Sequence, residues 1–461
     1  MTSTNSKSPF DSLKPLVSVV VGAIVLLIPA FNNRFPFLYA DTATYIMGGF
    51  KGAVSDYRPI TYGIFIRHAS LMESLWLVVF LQALIVSWLI HLFLRVFSKD
   101  NPGFMPLAWI ALLTFTTHIG TSVGMLMPDF LTSALILATG TLLYGETLRR
   151  WEVWFLGVIV WFGLSSHYSH HFIELLTLLG ITVFWLWGHF RKKQRFQWRR
   201  LATVYGLLTL AYFTIPTLHY VHGGGFIRDK AAHVFLVGRL NQMGLLKPFL
   251  DEHCGKTGDW NLCIYKDSLP DNFLWSPQSP VYRTGGWAAN QTEYNRFLNT
   301  FFHSPPYVKK FCIKTFETAI LQFFNYEGDI IFKEREGNPP FDAIREVLPD
   351  QIPAIRLSEQ YQEIWSNKVL DVVQRFTVIA GFLFLLYFLW APERWHLPVK
   401  KVRLIGFLFL ALGANALVCG GGSMVDMRFQ ARVIWLVPLN AMWLLWSLKP
   451  WQWLRKEAPQ A

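Results

Sequence analysis

Apolar residues along the chain gather into ten runs, most of them close to the 20 or so residues that a helix needs to cross a bilayer core. They are Lys14–Phe31, Ser74–Phe97, Phe104–Gly120, Pro128–Thr147, Trp154–Ser166, Phe172–Phe190, Leu201–Leu218, Val372–Trp390, Leu404–Cys419 and Arg432–Leu448. Most of the connections are short and polar. Two are long: Asn32–Glu73 and His219–Asp371. The pattern predicts an all-α polytopic membrane protein of about ten transmembrane helices. Residues 1–218 form a membrane domain that contains the loop 32–73. Residues 219–371 form an extracytoplasmic domain of mixed or irregular structure, and residues 372–461 hold the last transmembrane helices. Within the long segment, Lys230–Leu250 carries apolar residues at helical spacing (Val234, Phe235, Val237, Leu240, Leu245, Leu246), the pattern of a helix lying on a membrane surface.

Charge orients the helices. With the N-terminus inside and the spans alternating, the short inner connections hold Lys7, Lys14, Arg95, Lys99, Arg149, Arg150, the cluster Arg191–Arg200, Arg394, Lys400, Lys401, Arg403, Lys449, Arg455 and Lys456. This is the bias expected of cytoplasmic loops. The net charge of +12 is therefore a topology signal, and nucleic acid is not expected as a partner. Composition agrees with a chain bathed in lipid. Charged residues are 16% of the 461, against roughly 25% in soluble domains, and hydrophobic residues are 52%. The four cysteines form no C-x-x-C pair. Cys254 and Cys263 fall in the outer segment, where disulfides persist, and are expected to pair.

With the sides assigned, the unusual polar residues sort to one face. Asp41, Asp56, Arg58, Arg67, Asp129, His167, His170, His171, Arg428 and Arg432 all land outside, from several different connections. The first loop reads Tyr39-Ala40-Asp41-Thr42-Ala43-Thr44-Tyr45, then Tyr57-Arg58-Pro59-Ile60-Thr61-Tyr62-Gly63. Asp41 opens a short helical stretch. It could cap that helix or act as a general base beside an arginine; Tyr45, one turn on, and Tyr62 are candidate substrate contacts. Asp129, in Met127-Pro128-Asp129-Phe130, also sits at a helix start, where the helix dipole favours a carboxylate. His167, His170 and His171 have the spacing of one helical face and could meet a phosphate or a divalent metal. Gly420-Gly421-Gly422 precedes Arg428 and Arg432; such glycines can expose amides to an anion, and the arginines suit bidentate phosphate binding.

An acid after the first span, followed by Tyr and then Arg-Pro-x-x-Tyr-Gly, resembles the first periplasmic loop of the C-type glycosyltransferases. These are polytopic enzymes that use polyprenyl-phosphate-linked sugars, such as protein O-mannosyltransferases and aminoarabinose lipid A transferases. Pro128-Asp129 is similar to the family's second acid. The resemblance covers about the first 180 residues. It departs where the family's Asp-Glu pair is Asp41-Thr42, and where ten spans replace eleven to thirteen. It implies a multi-pass protein of the bacterial inner membrane with its active site facing the periplasm. Asp41 would be the catalytic base, assisted by Asp129. Arg58, Arg428, Arg432 and the three histidines would hold the phosphate of a polyprenyl-phosphate sugar donor, and a hydroxyl would be the acceptor. An O-antigen-type polymerase or ligase, relying on Arg and His, is the alternative; a transporter or flippase is the third.

Overall fold

The structure, a computed structural model, describes residues 9–98, 103–192, 198–256, 259–328, 335–390 and 397–448. Lys7, Lys99, Lys193, Arg195, Arg394, Lys449, Arg455 and Lys456, part of the charge pattern, lie outside the described residues. Among the described residues the regular structure is helical, with no strand. Six helices are long and apolar enough to cross a membrane: Leu75–Phe97, Tyr168–Arg191, Trp198–Val221, Lys368–Trp390, Val399–Gly422 and Met427–Leu448. This is the architecture of an all-helical membrane protein.

The other four apolar runs make shorter helices. Three are apolar throughout: Pro15–Leu26, Met105–Thr116 and Phe130–Tyr144. The fourth is Arg150–Ser166, whose first turn is held by Glu152, an acceptor for the Arg149 backbone N–H and for Arg95. Phe130–Tyr144 has 15 residues, which at 1.5 Å per residue is about 22 Å, less than a bilayer core. Every one of its residues is buried. It packs against Leu75–Phe97, Arg150–Ser166 and Val399–Gly422. It is a central pillar whose all-round hydrophobicity is answered by other helices.

Residues 219–371 correct two expectations. The described part is largely helical rather than irregular, mostly short helices with the 20-residue Pro305–Phe324 among them, and it encloses a second hydrophobic core. The single surface helix expected over Lys230–Leu250 is two helices, Ala232–Gln242 and Leu246–His253. They are separated at Gly244, whose φ of 67° ends the first. Val234, Val237, Leu240, Leu246 and Phe249 do not face a bilayer; they are buried with Phe273, Phe297 and Phe301. Their period marks a core face, which periodicity alone cannot tell from a lipid face. A disulfide joins Cys254 to Cys263, Cα–Cα 5.9 Å, beside this core.

The glycine triplet is a correction as well. Gly420–Gly422 end the Val399–Gly422 helix instead of forming an anion loop. A Cβ on Gly420 would lie 2.6 Å from the Thr318 carbonyl oxygen, and one on Gly421 2.6 Å from the Thr315 Cγ2. The glycines let the helix Pro305–Phe324 lie against Val399–Gly422 at close range, and Arg239 donates to the carbonyls of Gly420 and Gly421.

Candidate functional site

The first connection is clamped to the segment that leads into the central pillar. Phe37 N–H donates to the Gly124 carbonyl (2.9 Å), and Leu126 N–H donates to the Phe37 carbonyl (2.9 Å). The Thr42 hydroxyl donates to the Leu126 carbonyl (3.1 Å) and accepts from Tyr39 N–H (3.0 Å). Residues 37–42 and 124–129 are thereby locked side by side, and Asp41 and Asp129 belong to one site. On the other side of Asp41, Thr42–Lys51 crosses Thr61–Ala69 at glycines. A Cβ on Gly49 would lie 2.0 Å from the Gly63 carbonyl oxygen. This crossing sets the Tyr45 and Tyr62 rings edge to face, 5.1 Å apart. It also returns the chain so that Arg58 meets Asp41.

Neither aspartate caps its helix: both stand at the N-cap position, and neither side chain accepts a cap hydrogen bond. The carboxylates are engaged elsewhere. Asp41 Oδ2 accepts from Arg58 Nη2 at 2.8 Å and lies 4.0 Å from Arg428 Nη2. Asp129 Oδ1 accepts from Arg432 Nη1 at 3.0 Å and lies 3.8 Å from Arg428 Nε. Arg428 thus bridges the two acids, and its guanidinium stacks 3.9 Å over the Tyr39 ring. Asp426 does cap, accepting from the Arg428 N–H at 2.9 Å, and so fixes the helix Met427–Ile434 that carries both arginines. Arg432 also donates to Asn415 Oδ1 (3.2 Å) and Cys419 Sγ (3.3 Å).

The site is buried and carries excess positive charge. Three guanidiniums face two carboxylates. Buried N–H groups are left over: Nε of Arg58, Nε and Nη1 of Arg428, and Nε of Arg432 have no hydrogen-bond partner. Unpaired buried donors are costly, and guanidiniums with free donors suit an oxyanion. The acids are not equivalent. Asp129 is 5% exposed and enclosed by arginines, whereas Asp41, at 12%, is on the more open edge. Burial raises the pKa of Tyr45 far above its ordinary value, only partly opposed by Arg58, so the ring is a neutral phenol. Its hydroxyl is buried without a partner. Tyr62 donates to Gln82, which in turn holds the Val123 and Met125 carbonyls; it is a brace rather than a substrate contact.

The three histidines do not converge. His167 precedes the helix Tyr168–Lys192. Burial, assisted by the positive charges of Arg58, His170, Arg432 and Arg428, pushes its pKa well below the usual value and holds it neutral. Its ring is 5.3 Å from that of His170. Both ring nitrogens of His170 are taken, by Thr132 Oγ1 (2.8 Å) and the Gly163 carbonyl (2.7 Å). His171 turns away toward Tyr212. Among the described residues, no group of three or more His, Cys, Asp and Glu is placed to hold a metal. Arg67 is exposed at the end of its helix, and Asp56 pairs with Lys230. Tyr39, Asn415 and Cys419 join the cluster without having been singled out. The signal for Asn415 was a polar residue inside an apolar span. Compared with known protein families, curated proteins and solved structures, the chain has no significant match.

Proposed function

We propose that the chain is an integral membrane glycosyltransferase that moves a sugar from a polyprenyl-phosphate donor to a hydroxyl acceptor at the outer face of a bacterial inner membrane. One observation carries the reading. Five charged residues from three distant segments form a single connected cluster, with one carboxylate at its edge and spare guanidinium donors inside. Asp41 takes the proton of the acceptor hydroxyl. The oxygen attacks the anomeric carbon, the bond from that carbon to the phosphate oxygen breaks, and lipid phosphate leaves. Arg58 and Arg428 meet the developing phosphate charge with their unpaired N–H groups. Asp129 orients Arg428 and Arg432 instead of touching the acceptor. His167, neutral and adjacent, can donate one hydrogen bond without adding charge.

In this reading, both termini lie in the cytoplasm with ten membrane passes, and residues 219–371 stand in the periplasm, where the Cys254–Cys263 disulfide is stable. The test is mass spectrometry of envelope glycolipids and glycoproteins from cells with and without the gene. Loss of one sugar decoration together with accumulation of its lipid-linked donor is the expected result. An unchanged glycan and precursor profile overturns the reading.

A further inference from the structure

The loop after the helix Trp198–Val221 doubles back on that helix. Gly223 and Gly225 adopt positive φ (80° and 79°), the Gly224 N–H donates to the His219 carbonyl (2.8 Å), and His219 Nδ1 lies 2.9 Å from the Ile227 carbonyl. The Tyr168 hydroxyl donates to the Arg228 carbonyl oxygen, pinning the next residue. The Arg228 guanidinium ends up 4.7 Å over the Tyr212 ring, with Tyr168 and Phe172 at 5.7 and 5.8 Å. Tyr212 lies about two and a half turns, roughly 13 Å, inside the end of its helix, so the charge reaches down along a membrane-length helix.

Among the described residues Arg228 makes no direct ion pair, although the Asp229 charge is near enough to be felt. Its Nε and Nη2 are buried without acceptors. Asp229, its neighbour, turns Oδ1 to the N–H groups of Ala231 and Ala232 (2.8 and 3.1 Å). His171, 5% exposed with both ring nitrogens buried and unpartnered, also meets the Tyr212 ring, edge to face with centroids 6.2 Å apart. A half-buried guanidinium with two buried, unpartnered nitrogens and a buried, unpartnered imidazole share one aromatic neighbour. The neighbouring rings face outward: Phe172 and Tyr212 are 52% and 47% exposed, on two helices long enough to span a bilayer.

We propose that Arg228 and His171 form a second anion site, which takes the phosphate of an anionic lipid entering sideways from the bilayer between Tyr168–Lys192 and Trp198–Val221. The guanidinium gives two donors to phosphate oxygens, and the imidazole gives a third. The aromatic walls suit the glycerol and first methylenes of the lipid. A charge at such depth is expensive unless it has a counter-ion. The site is separate from the Asp41 cluster yet adjoins it, because Lys230 N–H donates to the Asp56 carbonyl (3.2 Å), two residues from Arg58. The inference depends on the chain lying in a bilayer, not on sugar transfer.

The test uses the full chain purified in a phosphate-free detergent and native mass spectrometry with added phosphatidylglycerol, with phosphatidylglycerol plus excess inorganic phosphate, and with inorganic phosphate alone. Wild type should keep one phosphatidylglycerol through delipidation, and Arg228→Gln and His171→Phe should lower its retention about tenfold or more. Asp41→Asn should keep it, so failure of this site and failure of the transferase reading are read separately. Equal retention in wild type and Arg228→Gln overturns the proposal. Displacement of the lipid by inorganic phosphate, or equal binding of inorganic phosphate alone, overturns the lipid as occupant. If Arg228→Gln does not fold, phosphatidylglycerol with a photoreactive headgroup decides on wild type. Labelling within residues 168–172 or 226–230 supports the site, and labelling confined to other segments refutes it.

Discussion

Asp41→Asn separates catalysis from architecture. Asp41 makes no cap hydrogen bond, and Asn caps about as well as Asp, so the helix Thr42–Lys51 should keep its start. The pair with Arg58 is 2.8 Å long between side chains 13% and 12% exposed. The amide oxygen can still accept from Nη2, so the loss is the charge on one hydrogen bond, about 1.5–3 kcal/mol at most. Removing a general base lowers turnover by about 10²–10⁴-fold, equivalent to roughly 3–5 kcal/mol of barrier. The assay is transfer of radiolabelled sugar from the purified lipid-linked donor, at matched amounts of monodisperse protein, with donor binding measured in parallel. The expected result is a loss of at least a hundredfold in turnover with donor binding and protein yield near wild type. Transfer at an undiminished rate refutes Asp41 as the base and favours a polymerase or ligase that works through arginine and histidine.

Four further outcomes are expected. Arg432→Met removes a 2% exposed guanidinium from Asp129, Asn415 and Cys419. It should cost about 3–5 kcal/mol and abolish a monodisperse peak in size-exclusion chromatography, with partial recovery in Arg432→Met/Asp129→Leu; no recovery would mean that the acid is not what suffers. Gly49→Ala must push Thr42–Lys51 away from Thr61–Ala69, because its Cβ would lie 2.0 Å from the Gly63 carbonyl oxygen; donor binding should fall, and an unaltered Kd would show the crossing to be adaptable. His167 is held neutral in the fold, while the unfolded chain takes its proton near pH 6.5. Stability should therefore be full above about pH 6.5 and decline as pH falls, by up to about 1.4 kcal/mol per pH unit from this residue. Thermal melts of His167→Asn should show a shallower acid slope than wild type, and equal slopes would discount His167. Reduction of Cys254–Cys263, a loop of sequence separation 9, should cost roughly 3 kcal/mol in the chain-entropy picture, read as earlier proteolysis of residues 219–371; an unchanged digestion rate would show that the loop contributes nothing.

The all-helical membrane character was legible because lipid and core both demand long apolar runs, and the charged residues were legible because they stand where those runs stop. The expected sidedness put Asp41, Arg58, Asp129, Arg428 and Arg432 on one face, but it could not bring them into contact. That depends on local devices such as the hydrogen bonds of Phe37 and the Gly49–Gly63 crossing. The glycine triplet was misread because a missing Cβ serves an anion loop and a close helix contact alike. The histidine trio was misread because residues 170 and 171, adjacent on a helix, point about 100° apart, and one turn of chain sends them to different neighbours. Pro305–Phe324 escaped notice because Lys309, Lys310, Lys314 and Glu317 interrupt its apolar face, although Phe316, Ile320, Leu321 and Phe324 are exposed alongside a membrane-length helix.

The cluster could be read as a staple that only joins distant segments. Its charge balance argues otherwise. A staple is best served by equal charges with every donor used, or by apolar residues, which often hold a core at least as well. Here one acid is surrounded and the other left at the edge. Four buried guanidinium N–H groups remain unpaired. Arg428 is held by an aromatic face and by acids at 3.8 and 4.0 Å rather than by direct hydrogen bonds to them. Unpaired buried donors of this kind cost stability, and the proposed anionic substrate is what would offset them. Under the proposed function the asymmetry would also divide the labour: Asp129 would keep the arginines in place, and Asp41, at the more open edge, would be the carboxylate to exchange its arginine for a hydroxyl. The mutational signatures follow from that division. Loss at Asp129 should appear first as instability, and loss at Asp41 first as lost turnover.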